Sequence, residues 1–132
     1  MTSPALRSRY LNDSVNTASP GRLLVMLYDR LVLDLARGED ALLQGDRESG
    51  SRHLLHAQEI ILELHSSLDG TTWQGAAGLG ALYTFLVTEL IGANVRGDAA
   101  QTASVRGLVE PLRDAWRDAA LTSAVHSATD VA

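Results

Sequence analysis

Cysteine and lysine are both missing from these 132 residues. The first absence removes disulfides, thiol nucleophiles and thiolate metal sites; the second removes Schiff-base chemistry on a lysine. All 11 basic residues are therefore arginine, and 16 acidic residues outnumber them to give a net charge of -5. Nucleic-acid binding relies on a basic footprint that this balance does not supply. Aromatic residues are also scarce, limited to Tyr10, Tyr28, Trp73, Tyr83, Phe85 and Trp116, too few for a stacking platform. The N-terminal stretch carries Arg7 and Arg9 but no apolar core of a secretory signal, so a cytoplasmic location is expected. The longest charge-free run, Gly70 to Thr88, has 19 residues but contains four glycines and opens GTTWQG. A membrane span needs about 20 predominantly apolar residues. The run reads as a turn feeding a buried helix, and no membrane insertion is expected.

What is present describes one compact domain: 45% apolar and 20% charged residues. Four segments carry helical punctuation. The first opens at Ser19-Pro20, where serine is a good N-cap and proline at the first helical position wastes no donor. It runs to Gly45, with an expected weak point at Gly38, since glycine inside a helix costs about 1 kcal/mol against alanine. The second starts near Asp46 and ends at Asp69-Gly70. The third begins loosely between Thr72 and Ala76, its first turns weakened by glycine, and ends at Gly97. The fourth opens with Asp98-Ala-Ala-Gln101, which reads as a reciprocal capping box, and continues to about Ala120. Pro111 falls inside it, but apolar residues stay in phase across the proline, so one kinked helix is expected. Connections of about two to six residues force neighbours to run antiparallel. The expectation is an all-α, up-down four-helix bundle over residues 19–120. An N-terminal arm or short extra helix occupies 1–18, and a flexible polar tail 121–132.

Helical phasing at about 100° per residue separates core from surplus. The fourth helix puts Val105, Leu108, Val109, Leu112 and Trp116 on one face, with Arg106, Glu110, Arg113 and Arg117 opposite. The other three carry more apolar residues than one core needs. Beyond the stripe Leu24, Leu27, Leu31, Leu35 and Leu42, the first helix has Met26 and Leu33 on its far side, seven residues apart. Beyond Leu54, Ala57, Ile61, Leu64 and Leu68, the second has Leu55 and Leu62, again seven apart. In the third, Leu79, Leu82, Leu86, Leu90 and Ala93 face inward, and Val87 and Ile91 lie beside them on an uncharged flank. Such pairs are either scattered surface residues of the kind every protein has or grooves for an amphipathic segment.

No constellation for covalent chemistry emerges, and no catalytic residue is assigned. His53, His56 and Glu59 share a face of the second helix, but the Glu-x-x-His of di-iron bundles is absent. They read as solvated polar residues, and neither a metal site nor a cofactor is expected. There is no Gly-x-Ser-x-Gly elbow, and Gly75-Ala-Ala-Gly78-Leu-Gly80 lacks the strand and lysine of a phosphate-binding loop.

Particular residues then resemble a known family. Tyr10, Val15-Asn16-Thr17-Ala18-Ser19-Pro20 and Leu23-Leu24-Val25-Met26-Leu27-Tyr28-Asp29 are similar to the opening of the flagellar secretion chaperone FliS family. Ala57-Gln58-Glu59-Ile60-Ile61 with Leu68-Asp69 resembles its second helix. Leu79, Leu82-Tyr83, Phe85 and Ala93-Asn94 resemble its third, and Leu112-Arg113-Asp114-Ala115-Trp116 its fourth. Gly21, Arg22 and the glycine-rich loop from Thr71 to Gly80 depart from the pattern. The resemblance implies a cytoplasmic, non-enzymatic export chaperone. Its partners would be the C-terminal segment of flagellin, kept from premature polymerisation, and a component of the flagellar type III export gate. On that reading Tyr10 and Leu11 anchor the arm over an apolar groove, and Met26, Leu33, Leu55, Leu62, Val87 and Ile91 meet the partner. The chain itself would be a monomer or weak dimer. A generic helical adaptor or self-pairing bundle is the alternative, and a small metal-binding bundle a more distant one.

Overall fold

The computed structural model describes residues 20–70 and 74–131, with side chains described as far as Thr122. Four helices fill it: α1 (Pro20–Leu43), α2 (Arg47–Ser66), α3 (Ala76–Arg96) and α4 (Ala99–Val131). Two of the three connections use the same local device. The dipeptides Gly45-Asp46 and Gly97-Asp98 each put a glycine at positive φ, 77° and 64°, where a side chain would be strained. The following aspartate N–H then returns to the helix it has just left, Asp46 to the Ala41 carbonyl and Asp98 to the Ala93 carbonyl, both at 2.9 Å. The aspartate carboxylate caps the next helix, accepting from Ser49 N–H or Gln101 N–H at 3.0 Å. One glycine ends a helix and one aspartate begins the next.

Side-chain pairs fix the directions. Asp29 meets Arg117 and Glu39 meets Arg106, so α1 and α4 run antiparallel. Asp34 meets His56, and a side chain at Gly38 would meet Leu54, which sets α1 against α2 in the same sense. His65 faces Tyr83 and Arg47 reaches the Asn94 and Val95 carbonyls, which does so for α2 and α3. Each helix packs on two neighbours around a closed ring, with α1 diagonal to α3. The core is the inward stripe of each: Leu31 and Leu35, Leu54 and Ile61, Leu86 and Leu90, Val105 and Val109 are all buried. This is the four-helix bundle expected from the punctuation.

Several local expectations are corrected. Gly38 is a packing site, since a Cβ there would lie 2.9 Å from the buried Leu54 Cδ2. Its partner is Gly50, where a Cβ would lie 2.6 Å from Leu42 Cδ2. The α2–α3 connection covers residues 67–75, longer than expected, because α3 starts only at Ala76 behind a Gly75 cap with no side-chain bond. The capping box is one-sided: Gln101 instead donates to Glu89 at 2.8 Å and accepts from Arg96, clasping α3 to α4. Helix α4 passes through Pro111 as one helix and runs on to Val131, past the expected end near Ala120. No glycine or proline interrupts it after Pro111, and Thr122 bonds back to the Asp118 carbonyl without leaving the helix.

Two polar groups inside the bundle were not anticipated from helical phasing. Tyr28 of α1 and Tyr83 of α3 cross the diagonal and meet hydroxyl to hydroxyl at 2.5 Å, both buried. Trp116 of α4 is partly buried and packs against the same core. Asp34 is fully buried between Arg30, at 3.3 Å, and His56 of α2. His56, its side chain 39% exposed, is therefore an interhelical partner of a buried carboxylate and not only a solvated residue at a helix start. Arg106 is not turned away from the core either; it bridges Glu39 at 2.8 Å and Glu110 at 2.8 Å. Those carboxylates raise its pKa above the already high arginine value.

Candidate partner-binding site

Among the described residues, the outer seam between α2 and α3 is apolar and exposed. On α2, Ala57, Ile61 and Leu64 turn inward, while Leu55 and Leu62 are 49% and 57% exposed. On α3, Tyr83, Leu86, Leu90 and Ala93 turn inward, leaving Val87 half-buried and Ile91 50% exposed. The register set by His65–Tyr83 at one end and Arg47–Val95 at the other brings Leu62 abreast of Thr84 and Leu55 abreast of Ile91. Between the helices lies a groove of about 240 Å³ lined by Ile61, Leu62, His65, Tyr83, Thr84, Val87 and Thr88.

The groove is more apolar than its residue names suggest. Thr84 donates its hydroxyl to the Gly80 carbonyl at 3.1 Å, and Thr88 to the Thr84 carbonyl at 2.9 Å. Both hydroxyls are thus spent on their own helix. Tyr83 spends its hydroxyl on Tyr28, so only its ring lines the groove. Burial is the main reason its pKa lies far above the ordinary tyrosine value, with the Tyr28 hydroxyl adding to it. Among the described residues no carboxylate lines the groove. Beyond its other end, the Arg47 guanidinium donates to the last carbonyls of α3, Asn94 at 3.3 Å and Val95 at 3.0 Å.

Four of the sequence-derived contact residues therefore come together on one seam: Leu55, Leu62, Val87 and Ile91. Met26 and Leu33 do not join them. They lie on α1, which packs on α2 and α4, with Leu33 exposed and Met26 half-buried. Tyr10 and Leu11 lie outside the described residues. Exposed Phe85 and Val95 on α3 and Leu108 on α4 were missed; phasing had placed Leu108 in the core. The available signal was α3 itself, which is long and apolar enough by length and composition to cross a membrane. In the bundle, however, only 22% of its most apolar window is buried. Asp29 holds Arg117 at 2.8 Å, an ion pair between α1 and α4. No group of three or more potential metal ligands occurs among the described residues.

The fold is of the all-α helical-bundle class, with an apolar seam exposed between two of its helices among the described residues. The comparisons narrow that class. Residues 2–123 match the sequence pattern of flagellar protein FliS. The flagellar secretion chaperone FliS of Bacillus subtilis (strain 168) is 36% identical over 110 residues, covering 83% of this chain and 82% of that protein. Its namesake from Salmonella typhimurium is 33% identical over 109 residues, covering 81% of each chain. That from Escherichia coli (strain K12) is 30% identical over 115 residues, with 85% and 84% covered. The chain belongs to the FliS family of flagellar secretion chaperones.

Proposed function

We propose that this protein is a cytoplasmic chaperone that seats the C-terminal segment of flagellin in the α2–α3 groove. It thereby keeps the subunit from polymerising before export and presents it to the flagellar type III export apparatus. The observation that supports this most is the seam itself. Leu55, Leu62, Val87 and Ile91 leave apolar surface on two adjacent helices of a family of flagellar secretion chaperones. Heptad spacing on α2 and uncharged residues on α3 suit an amphipathic helix laid along the groove. Covering the exposed half of each large side chain contributes roughly 1 kcal/mol. That is enough to offset part of the cost of ordering a disordered segment. No covalent step is involved, and the work is burial of another chain's apolar stripe.

The test is co-purification with a flagellin, compared with the same flagellin lacking its C-terminal segment. The proposal expects capture of the first and not of the second. Replacing Leu55 and Leu62 by serine should weaken binding by roughly 10- to 100-fold. Equal capture of truncated and full-length flagellin would reject the assignment. Sedimentation of the free protein separates the chaperone from a self-pairing bundle, which would instead cover the same seam with a second copy. Met26 and Leu33 are a second contact in this reading. Tyr10 and Leu11 tether the N-terminal arm over the apolar surface until flagellin displaces it.

A further inference from the structure

Among the described residues, His65 is the one polar side chain lining the groove that makes no side-chain hydrogen bond. Thr84, Thr88 and Tyr83 have each bonded their hydroxyls elsewhere. The His65 imidazole meets Tyr83 edge-on, with ring centroids 6.4 Å apart. It has no side-chain hydrogen bond or ion pair among the described residues. It sits over Gly80, where an added Cβ would lie 3.7 Å from its Nε2, so α3 leaves room for the ring at this point. The other walls near it are Ile61, Leu62 and Val87.

We propose that His65 makes capture of the flagellin helix depend on pH: the neutral imidazole is accepted under the bound helix and the imidazolium is rejected. This rests on the reading of the groove as the flagellin site. An imidazole gains or loses its charge between about pH 5 and 8. In the free protein the half-buried ring keeps contact with water. An apolar helix laid on the groove removes that water, and a charge left there without a partner is strongly disfavoured. Among the described residues no charged side chain lines the groove beside the ring. On α3 the titratable group is Tyr83, whose hydroxyl is turned to Tyr28 and stays neutral. On α2 no carboxylate lines the groove; Glu63 and Asp69 are exposed outside it. Residues 71–73, Thr-Thr-Trp, carry no titratable side chain. Protonation of the ring therefore opposes binding, and affinity falls as pH falls.

The experiment measures the dissociation constant of the full chain for a recombinant flagellin C-terminal segment at about pH 7.5 and about pH 5.5. Circular dichroism reports the fold at both values. The wild-type protein should bind about tenfold more weakly at the lower pH, the most that one linked proton gives per pH unit. His65→Gln, polar but uncharged, should bind equally at both. His65→Lys, charged throughout, should be about tenfold weaker than wild type already at the higher pH. A wild-type affinity that does not change with pH overturns the proposal, as does a slope that survives in His65→Gln or an undiminished affinity in His65→Lys. Failure of the wild type to bind at either pH overturns the flagellin reading beneath it.

Discussion

The Tyr28–Tyr83 hydrogen bond places two hydroxyls from diagonal helices in the bundle interior. Tyr28→Phe leaves the Tyr83 hydroxyl without its partner, and Tyr83→Phe leaves the Tyr28 hydroxyl without its own. A buried group left unsatisfied costs about 1–3 kcal/mol. Either variant should lower stability by that amount, as read from urea midpoints, and the double variant should cost less than the sum of the two. The same pair sets a pH limit. Burial raises the pKa of both tyrosines above the ordinary 10.0, although the bond Tyr28 receives from Tyr83 pulls it back in part. A folded-state pKa above the unfolded one means stability that is complete below about pH 10 and lost as pH rises beyond it. Thermal melts should therefore decline above that pH, and the Tyr28→Phe/Tyr83→Phe double variant should show a shallower decline. Neither tyrosine is legible as a core hydrogen-bonding pair from phasing, because Tyr28 and Tyr83 are 55 positions apart and meet only across the diagonal. Asp34 escapes in the same way: a carboxylate on a helix reads as solvent-facing until His56 is brought beside it.

At the scale of the helix, glycine has two opposite uses here, and substitution separates them. Gly50 lies at the α1–α2 crossing, where an added methyl would fall 2.6 Å from Leu42 Cδ2 and 2.9 Å from its Cγ. Overpacking of this kind costs about 1–3 kcal/mol, more than the ~1 kcal/mol that alanine gains in helix propensity. Gly50→Ala should lower the urea midpoint. Gly107, in the middle of α4, has nothing within 4 Å of an added Cβ. Gly107→Ala should therefore raise stability by roughly 0.5–1 kcal/mol. If both variants moved the midpoint the same way, close packing at Gly50 would not be the deciding effect. Helix identity was readable because the punctuation is local: Gly-Asp closes one helix and caps the next using only residues within a few positions. The role of Gly38 and Gly50 was not, since the need for a small residue comes from a neighbouring helix far away in sequence. Gln101 likewise had a local reading as half of a box. Glu89 and Arg96, brought beside it by the turn at Gly97, took its side chain instead.

Over the whole molecule, the distribution of apolar surface is uneven in a way that connects fold to use. Three of the four surplus residues on the α2–α3 seam, Leu55, Leu62 and Ile91, are about half exposed, in a bundle whose core is already complete without them. That surplus was visible in the sequence, because counting apolar positions per helix needs no tertiary information. Which surpluses combine was not visible. Helix phasing gives Met26 and Leu33 the same standing as Leu55 and Leu62, and only the ring order of the helices puts the first pair away from α3. This difference yields a thermodynamic test. A ligand that binds only the folded state adds about 2.7 kcal/mol at 100 times its dissociation constant. For a domain of this size that corresponds to a rise in thermal midpoint of roughly 10 °C. The flagellin C-terminal segment should produce that rise with the wild-type protein. Leu55→Ser/Leu62→Ser should melt within about 2 °C of wild type when free, because both side chains are largely exposed already, yet lose most of the rise at the same ligand concentration. Met26→Ser/Leu33→Ser should keep a larger share of it, since those residues lie apart from the seam and contribute at most a separate contact. A full rise in the first variant would remove the seam as the binding surface. A large drop in its free midpoint would mean that the two leucines hold the bundle together instead.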